Sequence, residues 1–433
     1  MSYPSTRRRF FKRAWGYALL GYLSLAGVRS KTATRRGGHS FRDNVYTRLG
    51  VKPFIMANIP FTFLSATLMW PEVREAMDEA SQYFVDIVQL QRAVGRRLAE
   101  ISGAEAGMVT SGAAGAMAVA TAACIAGDDP GKIRALPDSE GMRNEVLMWG
   151  GRSVFDNAIR LAGGKLKVVK NLENLRDTIT DRSAMLYMGY PADPVPRNAP
   201  PLEGIVSACR QRGVPVFVDA AGGIPPVENL RRYAKMGVDL YAFSGGKGLK
   251  GPQCSGLLLG RKHLIEAAIM NSSPIEGAVC RPMKVGKEEI IGCLAAVEKW
   301  LTIDLDSLYQ DQDKKLERIE AMLSTVPDVR TKIETRRGSN RFRQLVVEWD
   351  ESEMGISSNE CGRRLREGDP PIQVLSNYNP YVIRDSHPKP KPDSGDRKAK
   401  SSELTVYSLG LQQREEMIVG RRLREILLEA RRG

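Results

Sequence analysis

Histidine is scarce in this chain. Among 433 residues there are three, His39, His263 and His387, and the six cysteines (Cys124, Cys209, Cys254, Cys280, Cys293, Cys361) never stand at Cys-x-x-Cys spacing. Structural zinc and iron–sulfur centres need clustered thiolates and imidazoles, so no metal site is expected. The cysteines read as small apolar residues of a reduced protein. No self-similar period recurs, which excludes a solenoid or propeller. With 42% hydrophobic, 7% aromatic and 26% charged residues, the chain is neither disordered nor fibrous, and it is long enough for a full core and more than one domain. Acidic residues are missing at the front, where the first is Asp43. Nine cations (Arg7, Arg8, Arg9, Lys12, Arg13, Arg29, Lys31, Arg35, Arg36) fall within the first forty residues, so much of the net charge of +14 sits in a leader-like segment. The mildly basic remainder is not the clustered face that a phosphate backbone demands.

Long apolar runs are also absent. The stretch Ala14 to Val28 has fifteen uncharged residues, short for a membrane span but sufficient for the apolar region of a signal. Preceded by Thr6-Arg7-Arg8-Arg9-Phe10-Phe11-Lys12, it makes residues 1–40 resemble a twin-arginine export leader. The competing reading is a basic amphiphilic extension, unstructured or lying on a membrane surface. Ser24-Leu25-Ala26 is the best match to a cleavage site, and both removal of the leader and its retention as an anchor stay open. Export to a periplasmic or membrane-anchored location is expected, with the cytoplasm as the alternative.

From Leu49 onward, helical patterns alternate with short aliphatic runs, as in an α/β protein with a mostly parallel sheet. Strands are expected at Glu145 to Trp149, Lys165 to Val169, Ala184 to Gly189, Val214 to Asp219, Leu240 to Phe243 and Gly256 to Leu259. They are continuous apolar runs, the mark of strands buried on both faces. Helices are expected at Leu202 to Arg212, Glu228 to Met236, Glu288 to Leu301 and Leu305 to Leu323. A small C-terminal α+β domain over 329–433 has strands at Gln344 to Trp349, Ile372 to Leu375 and Leu404 to Ser408, a terminal helix from Gln412 to Ala430, and an exposed insertion at 377–402. The large domain, with an N-terminal arm, takes 41–328.

The chemistry concentrates at two strand ends. Asp219 closes one strand, and twenty-eight residues later Lys247 stands in Ser244-Gly245-Gly246-Lys247-Gly248-Leu249-Lys250-Gly251-Pro252-Gln253. Open α/β sheets bind ligands at the carboxyl ends of their strands. A lysine that forms an imine and a carboxylate that protonates a pyridine nitrogen are what pyridoxal 5'-phosphate (PLP) needs to act as an electron sink. Glycines around Lys247 are expected to let backbone approach the cofactor. Gly246-x-Gly248-x-x-Gly251 formally matches a dinucleotide fingerprint, but Pro252 and the strand after it leave no helix to follow. A P-loop is ruled out by Gly248 where Ser or Thr must stand. The rival is a bland glycine-rich turn. Upstream, Thr110-Ser111-Gly112-Ala113-Ala114-Gly115 leads into an Ala-rich helix, so the N–H groups there and the Ser111 hydroxyl form a candidate phosphate cup, with Ser244 as a further donor. The alternative is a tight helix entry packed with small residues.

These residues resemble the selenocysteine synthase-like branch of fold-type I PLP enzymes, which also holds D-glucosaminate-6-phosphate ammonia-lyase and is related to class-V aminotransferases. The landmarks are Leu49-Gly50-Val51-Lys52-Pro53, Leu98 to Glu105, Ser111-Gly112-Ala113, Ser244-Gly245-Gly246-Lys247, Gly251-Pro252-Gln253 and Met283 to Glu288. The resemblance implies Lys247 as the Schiff-base lysine, Asp219 on the pyridine nitrogen, and active sites shared between subunits of a homo-oligomer. Two departures stand out. Selenocysteine synthase has Asp where Gly246 stands, and a tRNA-binding region that has no counterpart here, so tRNA is not expected as a partner. The ammonia-lyase has a ring-stacking histidine where Arg152 stands; a guanidinium also stacks on an aromatic plane but does not shuttle protons near neutral pH.

The reaction expected is an ammonia-lyase type α,β-elimination on an amino acid or amino sugar acid, begun when Lys247 removes the Cα proton. Arg281 and Lys284 are expected to bind the substrate carboxylate, against the reading of a solvated basic patch. A transferase like L-seryl-tRNA selenium transferase, or a racemase or aldolase, starts from the same carbanion. An exported binding protein that has kept the fold but lost activity is the third reading, weakened by the presence of both Lys247 and Asp219.

Overall fold

The computed structural model describes residues 41–189, 202–335, 342–375, 381 and 401–432. The chain divides into two compact units, Met1–Val51 and Lys52–Gly433. In the first, Thr47–Leu49 form a 3-10 turn that ends at Gly50, whose φ of 75° suits a residue without a side chain. The expected leader over 1–40 lies outside the described residues.

The second unit carries strands β1 (Ile55–Ala57), β2 (Ala106–Thr110), β3 (Glu145–Trp149), β4 (Lys165–Val169), β5 (Ser183–Gly189), β6 (Val216–Asp219), β7 (Leu240–Ser244), β8 (Gly256–Gly260), β9 (Val329–Thr335), β10 (Arg343–Asp350), β11 (Ile372–Val374) and β12 (Ser401–Tyr407). Seven of them form one sheet in the order β2-β8-β7-β6-β5-β3-β4. Strands β7, β6, β5, β3 and β4 run parallel, and β8 is antiparallel to both its neighbours.

Side chains alternate across this sheet with period two, and both faces are covered. Leu147, Leu186, Val216, Val218, Tyr241 and Phe243 enter one core with the helices Ile87–Ser102, Leu202–Arg210 and Lys287–Trp300. Val146, Met148, Tyr187, Phe217, Leu240 and Ala242 enter the other, against Gly112–Ala126 and Lys262–Met270. Two apolar faces account for the continuous hydrophobic runs in the sequence. The helix Gly112–Ala126 is apolar all round and almost wholly buried, which its alanines permit at close range.

The remaining strands build the C-terminal region. There β12-β10-β9 form an antiparallel sheet, and the helix Leu305–Leu323 packs on β9, β10 and the terminal helix Glu415–Ala430. Strands β1, β2 and β9 escape the sequence reading. β2 escapes because Ala106 and Gly107 are weak strand formers, although Gly107 is required there: a Cβ on it would come within 2.6 Å of Leu259. β1 has three residues and pairs in parallel with β11, so a segment expected to be an arm of the large domain is joined to the C-terminal region. Of the expected insertion, 377–380 and 382–400 lie outside the described residues, while Ser401 and Ser402 already belong to β12.

Candidate active site

One edge of the large sheet gathers the residues singled out above. Asp219 ends β6, level with Gly189 of β5 and Ala242 of β7. It shares a strand face with Phe217, and hence the side of the sheet covered by the helix Gly112–Ala126. Ser244 ends β7 on that same face, paired with Gly256 at the start of β8.

Lys247 lies in the turn between β7 and β8, which is closed by hydrogen bonds from Gly245 N–H to Ser255 O (2.8 Å), Gly251 N–H to Gly245 O (2.8 Å) and Lys250 N–H to Lys247 O (2.9 Å). The glycines of this turn make room for protein. A Cβ at Gly245 would meet Ser255 Oγ at 2.0 Å, one at Gly246 would meet Gln253 Cα at 2.7 Å, and one at Gly248 would meet Ile224 O at 2.0 Å. The expectation that they serve close approach of a cofactor is corrected accordingly. The Asp that precedes the lysine in selenocysteine synthase has no room at Gly246 in this packing.

Asp219 is the electrostatic centre of the site. Its Oδ1 accepts from Ala221 N–H at 3.0 Å and its Oδ2 from the Tyr187 hydroxyl at 3.2 Å. Burial pushes its carboxyl above the usual carboxylate range, opposed by the Ala221 N–H, the positive charge of Lys247 and the Tyr187 hydroxyl. A buried carboxylate of this kind is relieved by a cationic ring N–H, which is what a protonated pyridine offers.

Tyr187, which the sequence reading missed, stacks on Phe217 with centroids 5.9 Å apart and planes 17° from parallel. Burial first, and then the charge of Asp219, push its phenol well above its ordinary value, so it stays a donor. The available signal was a tyrosine inside a fully buried strand, where a hydroxyl needs a partner.

The cup expected at Ser111 to Ala113 is the N-terminus of the helix Gly112–Ala126. Asp86, Asp129, Asn171 and Asp304 each cap their own helices by a side-chain bond, but Ser111 makes no such bond. The first N–H groups of this helix are therefore not consumed by a cap. Gly256 lies directly against them: a Cβ there would be 2.5 Å from Gly112 C and 2.9 Å from Ala113 N. The pairing of Gly256 with Ser244 thereby joins the cup to the strand that leads to Lys247. An uncapped helix end, a buried acid at a strand end and a lysine in the turn after the neighbouring strand fit phosphate, pyridine nitrogen and aldehyde of PLP.

The other expected residues are more exposed. Arg152, in the loop after β3, is 56% exposed and held by the buried Asp156. Asp156 in turn acts on the Tyr187 phenol, so the Arg152 loop borders the Asp219 site through a second carboxylate. Arg281 and Lys284 are solvent-exposed. Arg281 Nη1 lies 3.5 Å from Ser273 Oγ, and Ser273 lines a small cavity with Ser111, Thr110, Gln91 and Met283. The structure thus brings Asp219, Lys247, Ser244 and the cup to one edge and sets Arg281 on the cup side.

Known proteins share this fold. The aminotransferase class-V family model matches residues 159–347. The 5'-C-glycyluridine monooxygenase-decarboxylase of a Streptomyces species is 30% identical over 407 residues, covering 91% of this chain and 94% of that protein. The D-glucosaminate-6-phosphate ammonia lyase of Salmonella typhimurium is 29% identical over 340 residues, covering 75% and 88%. A solved structure of D-glucosaminate-6-phosphate ammonia-lyase superposes with a TM-score of 0.72 at 27% identity, over 90% of this chain and 99% of that one. The chain belongs to the aminotransferase class-V family of fold-type I, pyridoxal-phosphate-dependent enzymes.

Proposed function

We propose that this enzyme breaks a bond at the Cα of an amino-acid-like substrate, most simply as an ammonia-lyase that eliminates a β substituent. What supports this reading is the turn that holds Lys247, which follows β7 next to the buried Asp219 of β6, together with the uncapped helix end that lies against Gly256 of β8. The chemistry that pyridoxal phosphate supplies when bound there is an electron sink for the bond that breaks. Lys247 Nζ would hold the cofactor and, as a free amine, would take the Cα proton of the substrate. Asp219, kept in place by Ala221 and Tyr187, holds a proton on the ring nitrogen. The backbone at Gly112 and Ala113, with Ser111 and Ser244, binds the phosphate. Arg281 and Lys284 receive the substrate carboxylate, and Arg152 borders the ring side.

A second reading, decarboxylation at the same Cα, is favoured by the 30% identity over 91% of the chain to a monooxygenase-decarboxylase. Borohydride reduction followed by peptide mapping tests the shared foundation: the label is expected on Lys247 and absent from Lys247→Ala. Amino acids and amino sugar acids incubated in D2O then separate the two readings. Ammonia release with deuterium at Cβ of the keto acid supports elimination. Carbon dioxide release with oxygen uptake, without Cα exchange, replaces it by decarboxylation.

Two further proposals concern the whole protein. Residues 1–40 direct export by the twin-arginine route, supported by Arg7-Arg8-Arg9 and the apolar Ala14 to Val28. A Lys pair at Arg7 and Arg8 should abolish export in cell fractionation. The enzyme acts as a homo-oligomer, supported by the exposed Tyr83, Phe84 and Val85. Sedimentation of the wild type should show at least a dimer.

A further inference from the structure

Residues 61–70 precede the large sheet by a long stretch of chain, yet they lie on the Lys247 turn. Thr67 Oγ1 is 2.9 Å from Gly246 O and 2.8 Å from Lys247 O, so its single proton is shared between the carbonyls on either side of Lys247. The Trp70 N–H donates to Lys250 O at 3.2 Å, Gln253 Nε2 donates to Thr62 O at 2.9 Å, and Lys250 Nζ sits 4.1 Å from the centroid of the Trp70 ring. Between these contacts, Ser65 (φ 64°) and Ala66 (φ 60°) are consecutive non-glycine residues in the left-handed region. L-residues with a side chain rarely hold that conformation, and they keep it only where the surroundings over-determine it. Here Ser65 N–H bonds Thr62 O at 3.2 Å and Ala66 N–H bonds Phe61 O at 3.1 Å. The reversal turns Thr67 towards the turn and seats the buried Ala66 beside Gly246.

We propose that Thr62–Trp70 is a clamp that fixes the root of the Lys247 side chain, with Thr67 as its positioning residue. The inference rests on the reading of Lys247 as the lysine that carries the cofactor. An amine that must hold the cofactor, leave it and return to one carbon atom swings on a flexible four-carbon stem. Its accuracy therefore depends on how firmly the backbone at its base is held. Thr67 fixes both carbonyls that flank the Lys247 Cα, and the strained pair behind it is the cost of aiming that hydroxyl.

The test uses the cofactor-loaded enzyme, with Thr67→Val, which keeps the shape and removes the donor, and Thr67→Ser, which keeps the donor. Two readouts are taken beside turnover: the pH titration of the visible absorbance, and amide hydrogen exchange at Lys250 and Gly251, repeated on protein stripped of cofactor. In Thr67→Val the absorbance midpoint should move by about half a pH unit and exchange at both amides should quicken about tenfold. Thr67→Ser should restore both. If the valine variant matches the wild type in both readouts, or serine fails to restore them, the clamp is wrong. Wild-type protein that carries no cofactor on Lys247, with exchange still quickened by valine, upholds the clamp and overturns the cofactor reading instead.

Discussion

Replacing Tyr187 by Phe removes one hydroxyl and leaves the stack on Phe217 in place. Asp219 then loses a donor that opposes the rise caused by burial, so its carboxyl should take up a proton more readily. A hydrogen bond to a charged group contributes about 1.5–3 kcal/mol. Steady-state kinetics of Tyr187→Phe should accordingly show kcat/KM lowered by about tenfold or more, with the acid limb of the pH profile moved upward. Lys250 poses a different balance. Burial, with a smaller contribution from the charge of Lys315, lowers its ammonium to about 8, while the face of Trp70 beneath it attracts the charged form. Between about pH 8 and 10 the unfolded chain therefore binds more protons at this residue than the folded one does, and stability rises with pH across that window. Below it both states are protonated and the full penalty remains. Lys250→Met should flatten this rise in urea denaturation between pH 8 and 10, by about 3 kcal/mol at most.

At the scale of elements, the site depends on how closely β8 approaches the helix Gly112–Ala126. Gly256 has no side chain because the helix N-terminus occupies its place. Gly256→Ala should push the two apart, costing about 1–3 kcal/mol of stability. By fluorescence titration it should also weaken cofactor binding more than tenfold, since the cup is displaced from Ser244 and the turn that follows. If the alanine variant bound the cofactor as the wild type does, the cup would have to lie elsewhere. The Ala-rich helix shows how far an element is legible in advance: its composition announces burial on every side, and its start at Ser111 and Gly112 was readable from the small residues there. The glycines of the Lys247 turn were legible as special but not in purpose, because whether a missing side chain makes room for a cofactor or for Ser255, Gln253 and Ile224 depends on neighbours distant in sequence.

In the molecule as a whole, the start and the end of Lys52–Gly433 are tied together by β1 and β11. Ile55 is fully buried and level with Ile372. Ile55→Ala should cost about 2–5 kcal/mol in denaturant unfolding, and hydrogen exchange should report the loss first at Ile372–Val374. The central strands were readable because a strand buried on both faces must be apolar throughout, and the reading placed β3 to β8 within two residues of their observed ends. A three-residue strand such as β1 carries too little pattern to be seen, and its partner lies more than three hundred positions away. Lys247 and Asp219 could be named from sequence because strand ends and glycine-rich turns are local features. Tyr187, Thr67 and the pairing of Arg152 with Asp156 could not. A hydroxyl on a strand or in a loop is chemically silent until the fold brings a carboxylate or a carbonyl within hydrogen-bonding distance, and that proximity is decided by packing between elements.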